Sequence, residues 1–152
     1  MKYNQLNAIH PNQYSHKVEL YKPDLQDSKI LIDLRQQIFN DSYKDDETMV
    51  TKNFESQFRH QYLLIYDKEF VGIGGVSSEQ DVAYIFGFGI MPKYQGKGFR
   101  KVMLELMLKD LIEQDIKKIM IDVNSENAKA FNLYKKYGFE VQTEFEYFRK
   151  KV

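Results

Sequence analysis

Ile90-Met91-Pro92-Lys93-Tyr94-Gln95-Gly96-Lys97-Gly98-Phe99-Arg100 joins a run of strand character to a run of helix character. Before it, Val82 to Ile90 is apolar and rich in β-formers. After it, Val102, Met103, Leu106, Met107 and Leu111 recur at helical spacing between Gly98 and about Gln114. Amides at a helix start lack intrahelical partners, point one way and carry partial positive charge. Glycine lets a bulky phosphate come close to such a backbone. Lys93, Lys97, Arg100 and Lys101 add a local basic patch in a chain whose Lys+Arg and Asp+Glu both number 22. The junction thus describes a place for phosphate. Read in isolation, it equally describes a glycine-rich turn into an amphipathic helix, with solvated lysines around it.

The loop differs from the two familiar nucleotide patterns. It lacks the Gly-Lys-Ser/Thr ending of a P-loop, and with it the magnesium-binding hydroxyl. It is not Gly-x-Gly-x-x-Gly, and it follows an antiparallel hairpin late in the chain instead of opening a βαβ unit. A formal net charge of zero argues against a general nucleic-acid binder. The absence of cysteine removes disulfides, thiolate zinc sites and a cysteine nucleophile. His10, His16 and His60 have no metal-ligand spacing, so no metal is expected. Residues 1–10 carry no apolar signal region and no run approaches a membrane span, so a cytoplasmic location without membrane association is expected.

With 152 residues, 43% of them apolar and 29% charged, one globular domain is expected. Residues 1–16 read as an N-terminal arm or an extra edge strand, and residues 17–152 as the domain. Lys17 to Lys22 alternates as a strand. A helix runs from Asp27 or Ser28 to about Asn40, with Ile30, Leu31, Leu34 and Ile38 inward. A weaker helix covers Asp46 to Gln57. Gln61 to Tyr66 and Phe70 to Val76 form a hairpin across Asp67-Lys68-Glu69. Gly87 and Gly89 interrupt the strand from Val82 to Ile90, which marks a bulge or a close approach by another backbone or a ligand. Lys118 to Val123 is a strand, Ser125 to Tyr137 a helix stopped by Gly138, and Phe139 to Phe145 and Tyr147 to Val152 are strands. The order β-α-α-β-β-β-α-β-α-β-β predicts a mixed α/β sheet with helices packed on it.

Two separated motifs resemble the GNAT superfamily of N-acetyltransferases. The first is Ile90-x-Pro92 followed by Gln95-Gly96-Lys97-Gly98, which is similar to the family's acetyl-CoA loop at Gln95 and Gly98. Arg100 departs from it, standing where the family has a small residue. The second is Asp122-Val-Asn-Ser-Glu-Asn127 through Ala130, Leu133, Tyr134, Gly138 and Phe139. The resemblance covers residues 60 to 148 by motif and 17 to 58 by order of elements. It implies the GNAT acyltransferase fold, with acetyl-CoA as co-substrate. It places Phe88, Gly89, Ile90, Gln95, Gly96, Lys97, Gly98, Phe99, Arg100 and Asn127 at the coenzyme. Asn127 and Tyr134, seven residues apart, share one helix face about 10 Å apart along the axis.

By resemblance, Tyr134 is the general acid that protonates the departing thiolate. A phenol of pKa about 10 suits this, being protonated at neutral pH. Asp122 stands where some family members carry a general base. A carboxylate in an apolar strand is costly to bury and needs a partner or a purpose. Structural roles remain open for both: Tyr134 as a core aromatic, Asp122 as a carboxylate bonded to neighbouring backbone. The implied reaction is direct acetyl transfer to a primary amine, on a small molecule or a protein N-terminus, by a monomer or homodimer. A non-catalytic acyl-CoA sensor on the same fold is the alternative. Phe39, Tyr43, Asp45-Asp46-Glu47, Phe145 and Tyr147 fall where the family selects its acceptor. The acidic run among them reads either as an attractant for a cationic amine or as a solvated loop.

Overall fold

The computed structural model describes residues 17–121 in full and the backbone of 2–3 and 139–140. Its strands are β1 (Lys2–Tyr3), β2 (Val18–Tyr21), β3 (Arg59–Tyr66), β4 (Glu69–Glu79), β5 (Val82–Ile90), β6 (Lys118–Ile121) and β7 (Phe139–Glu140). Its helices are α1 (Ser28–Ile38), α2 (Tyr43–Glu55) and α3 (Phe99–Glu113). The sheet order is β2-β3-β4-β5-β6-β1-β7. β5 and β6 run parallel, and the other described pairs are antiparallel. The mixed α/β sheet expected from the element order is therefore present. The helix expected over Ser125 to Tyr137, and most of the two closing strands, lie outside the described residues.

Three differences from the expected elements have local causes. β1 pairs with both β6 and β7, so it lies inside the sheet instead of at an edge. A two-residue strand is placed by backbone pairing, and its side chains carry too little pattern to show where. α2 begins at Tyr43, three residues earlier than expected, because the Ser42 hydroxyl accepts from the Asp45 amide at 3.1 Å. α3 is buried more widely than one stripe, with Leu104 and Leu108 inside as well as Val102, Met103, Met107 and Leu111. Leu106, expected inward, is only half-buried.

The sheet separates two apolar layers. On one face Tyr62, Leu64, Val76, Ala83, Ile85 and Ile90 pack against α3. On the other, Leu63 and Ile73 pack against Leu31, Ile32 and Leu34 of α1 and Val50 of α2. Strand alternation explains why Leu63 and its neighbours Tyr62 and Leu64 serve opposite layers. Gly72 and Gly74 lie on the α3 face, where the Met103 and Met107 sulfurs sit 2.9 Å from the positions a Cβ would take. The lack of a side chain there lets the helix come down onto β4. Among the described residues, no helix is long and apolar enough to cross a membrane.

Among the described residues, one ion pair joins α1 to α2. Arg35 Nε donates to Asp46 Oδ1 at 2.9 Å, and Gln36 Nε2 donates to Asp46 Oδ2 at 2.6 Å. Asp46 is fully buried. Of the acidic run Asp45-Asp46-Glu47, the middle residue is therefore a structural anchor and neither a solvated charge nor a lure for an amine. Asp45 and Glu47 are exposed. Removing one partner of a buried pair strands the other charge, at about 3–5 kcal/mol. Asp46→Ala should therefore lose about 3 kcal/mol or more in urea unfolding, and Glu47→Ala about 0.5 kcal/mol or less.

Candidate functional site

β5 carries one residue too many for its partner. Ile73 of β4 pairs with Gly89 and Gly75 pairs with Phe86, so Gly87 and Phe88 together face Gly74. This is a β-bulge. Gly87 takes φ +55°, a left-handed value that favours glycine. The extra residue shifts the phase of the strand. Ala83 and Ile85 face α3, and simple alternation would send Gly87 and Gly89 there too. Instead Ile90 enters the α3 core and Phe88 packs at its margin. Gly89 turns to the opposite face, where a Cβ would collide with Ile38 Cγ2 and lie 3.3 Å from the Phe39 ring. The bulge reading holds at Gly87; at Gly89 the approach is by the Ile38 and Phe39 side chains at the end of α1, and not by another backbone or a ligand.

Beyond the bulge, Met91 donates its amide to the Val71 carbonyl at 2.8 Å. Successive peptide groups of a strand alternate between its two edges. The amide and carbonyl of Ile90 therefore lie on the edge turned away from β4. On that edge the described pairing with β6 runs from Val82 with Lys118 to Ile85 with Ile121. The Ile90 carbonyl accepts from Gln95 Nε2 at 3.0 Å. Gln95 thus braces the loop against the strand end, and its side chain serves the loop before any ligand.

A short 3-10 turn, Pro92–Tyr94, leads to Gly96 at φ +76° and Gly98 at φ +89°. A Cβ at Gly96 would meet nothing within 4 Å, so the backbone there borders open space. Gly98 is the N-cap of α3 and brings no side chain to its first turn. α2 differs in this respect, since Ser42 caps it. Phe99 is 2% exposed, its ring 4.9 Å from that of Tyr66 and 5.6 Å from that of Tyr94. Its side chain is a core anchor, so its backbone is what it can offer a coenzyme. Lys97 is exposed, with Nζ 5.9 Å from the Tyr94 ring centroid, and Lys93 lies 3.8 Å from Glu69. Arg100 is half-buried, its guanidinium 5.4 Å from the Phe88 ring centroid. The off-pattern residue of the loop therefore lies over the bulge and not in bulk solvent.

Phe88, Gly89, Ile90, Gln95, Gly96, Lys97, Gly98, Phe99 and Arg100 are thus gathered around the end of β5 and the start of α3. Asp122, Asn127 and Tyr134 lie outside the described residues, as do Phe145 and Tyr147. One neighbour was not anticipated. Arg35 Nη1 lies 3.4 Å from where a Cβ of Gly87 would stand, and the guanidinium is 4.9 Å from the Phe39 ring centroid. Arg35 follows Leu31 by four residues, so the period of α1 does point it inward. Its charge hid this.

Residues 28–139 match the family model described as the acetyltransferase (GNAT) family. The chain belongs to that family. Over 100 residues it is 31% identical to the ribosomal protein bS18-alanine N-acetyltransferase of Haemophilus influenzae, a match covering 65% of this chain and 68% of that protein. Its fold is similar to the crystal structure of the ribosomal-protein-S18-alanine N-acetyltransferase from Escherichia coli, with a TM-score of 0.74 at 19% identity over 83% of this chain and 79% of that one. It is also similar to an aminoglycoside N-acetyltransferase in complex with CoA, with a TM-score of 0.69 at 12% identity over 82% and 89%. The chain is thus a GNAT-type acyltransferase, and the resemblance drawn from the two motifs holds at the level of family and fold.

The seat of α1 on Gly89 can be tested directly. Gly89→Ala should cost about 1–3 kcal/mol by overpacking. Adding Ile38→Ala should cost less in the Gly89→Ala background than in the wild type, a coupling that a double-mutant cycle in urea reads.

Proposed function

We propose that this protein transfers the acetyl group of acetyl-CoA to a primary amine by direct attack. The observation that carries this reading is the bulge at Gly87–Phe88. Ten residues after Phe88 comes Gly98, a helix N-cap that has no side chain of its own. One strand end then offers an amide for a carbonyl oxygen, and the adjoining helix start offers amides for phosphate. The fit to coenzyme A rests on Gly96, which borders open space, and on the backbone conformation that glycine supports at Gly98.

In this mechanism the neutral amine nitrogen attacks the thioester carbonyl carbon. Negative charge develops on the carbonyl oxygen, and the Ile90 amide stabilises it. The carbon–sulfur bond breaks as the amide bond forms. Tyr134 gives its proton to the departing thiolate, and Asp122 takes the proton the amine must lose, directly or through water. Asn127 orients the coenzyme. Phe39 and the end of α1 wall the acceptor side, because they pack on Gly89. Exposed Asp45 and Glu47 on the neighbouring helix favour the approach of an ammonium group. The α-amine of a protein N-terminus is the first acceptor to try, since the Haemophilus relative is a ribosomal protein bS18-alanine N-acetyltransferase.

Calorimetric titration with acetyl-CoA should give saturable binding. Gly98→Val should weaken it about tenfold or more, since a β-branched residue is strained at φ +89°. Tyr134→Phe should keep the binding and lose about a hundredfold in turnover. Asp122→Asn should flatten the limb of the pH–rate profile that rises as the carboxyl ionises. Full turnover by Tyr134→Phe at neutral pH, or an unchanged profile for Asp122→Asn, removes the role of that residue. Binding with no thiol release against alanine-initiated peptides, polyamines or aminoglycosides would favour the sensor reading.

A further inference from the structure

A second concave site lies at the far end of the sheet. A cavity of about 490 Å³ opens between the end of β2, the end of α2, the start of β3 and the residue that follows α3. Gln114, which lines it, is separated from Phe99 at the loop by the whole of α3, about 22 Å of helix. The volume falls in the usual range for small-molecule sites.

The chemistry of the lining is one-sided. Lys22, Arg59 and His60 line the cavity along with the amides Asn53, Gln57 and Gln61, and among the described residues no carboxylate does. The acid that three of the lining residues hold is already engaged. Asp110 accepts from Tyr62 at 2.6 Å, from Gln114 at 2.7 Å and from Lys22 at 3.2 Å. Burial, with the bond to Asp110, holds the Tyr62 phenol well above its ordinary pKa, so it stays a donor to that acid. Arg59 has only neutral partners among the described residues. Nη1 donates to Asn53 Oδ1 at 3.2 Å, and the guanidinium lies 5.6 Å from the Phe86 ring centroid.

Asn53 supplies the decisive feature. It is 2% exposed, and its bond from Arg59 fixes which amide atom is the oxygen. The other atom, Nδ2, is buried with no hydrogen-bond partner among the described residues. An unmet buried donor costs about 1–3 kcal/mol, and such groups are rare. Asn53 lines the cavity beside Arg59, and among the described residues that line it none carries an acceptor charge.

We propose that this cavity is a second binding site, for a small molecule bearing a carboxylate, held by the Arg59 guanidinium and Asn53 Nδ2. A planar carboxylate has two oxygens to share between two planar donors, and a charge-assisted bond to arginine is stronger than a neutral one. The Gln57 side chain stands at the exposed rim.

Succinate is the probe, with inorganic phosphate as the second arm, added to the whole protein at fixed ionic strength. The readout is the side-chain amide resonance of Asn53 in proton–nitrogen spectra. Succinate should shift it saturably at millimolar concentration. Arg59→Gln should weaken succinate about tenfold, the loss of one charge-assisted bond. Gln57→Glu, an exposed isosteric change that leaves both donors in place, should weaken it several-fold by repulsion. Acetyl-CoA titrations should be unchanged in both variants, which reports that each is folded and that the loop site stands apart. An Asn53 resonance indifferent to succinate overturns the site, as does succinate affinity unaltered in both variants. Phosphate binding more tightly than succinate overturns the carboxylate assignment.

Discussion

One extra residue in β5 sets the geometry of the end of the sheet that carries the candidate site. A strand that kept its phase past Phe86 would send Gly89 toward α3 and Ile90 toward α1. The bulge at Gly87–Phe88 exchanges them. Ile90 becomes core, which anchors the strand end just before the loop. Gly89 becomes the seat of α1, which brings the α1–α2 connection to the same place. The Ile90 amide is left on the edge away from β4. A single inserted residue thus decides which groups meet at the strand end.

The wall opposite the bulge is held by a buried ion pair as well as by apolar packing. Arg35 and Asp46 are both buried, and Gln36 takes the remaining carboxylate oxygen. Such a pair brings little net stability compared with apolar residues of the same volume. What it adds is direction. A guanidinium bonded to Asp46 and stacked on Phe39 can sit beside Gly87 in few ways. An apolar pair would leave the connection between the helices freer to slide. The loop at the other side of the bulge is braced similarly, by Gln95 on the Ile90 carbonyl and Phe99 in the core. Both neighbours of the strand end are thus fixed by specific contacts.

Much of this was legible in the residues. Val82 to Ile90 ends where expected, because Pro92 follows it and its apolar run is long. The helix after the loop was visible from its period, and its start from Gly98. The strand glycines pointed to a bulge, which Gly87 makes; the seating of the Ile38 and Phe39 side chains on Gly89 was not anticipated. What was not legible depended on partners distant in sequence. Asp46 looks like one of three adjacent acids, and only Arg35, eleven residues before it, makes it internal. Gln95 matched a motif, yet a side-chain bond to a strand carbonyl cannot be read from spacing. β1 was hidden by its length, since two residues have no period. Arg59 and Asn53 carried no motif at all, and they meet only because α2 and β3 pack side by side. The motif around Asp122, Asn127 and Tyr134 supported the family resemblance together with the loop at Gln95–Gly98, and it lies outside the described residues.

Residue-resolved amide exchange with and without acetyl-CoA tests the central claim most directly, which is that the end of β5 and the start of α3 together hold the thioester and its phosphates. Added protection is predicted at Ile90 and across residues 96–101, with none at residues 59–62. Protection confined to other segments, or a bound coenzyme that leaves the Ile90 amide exchanging as before, would contradict it.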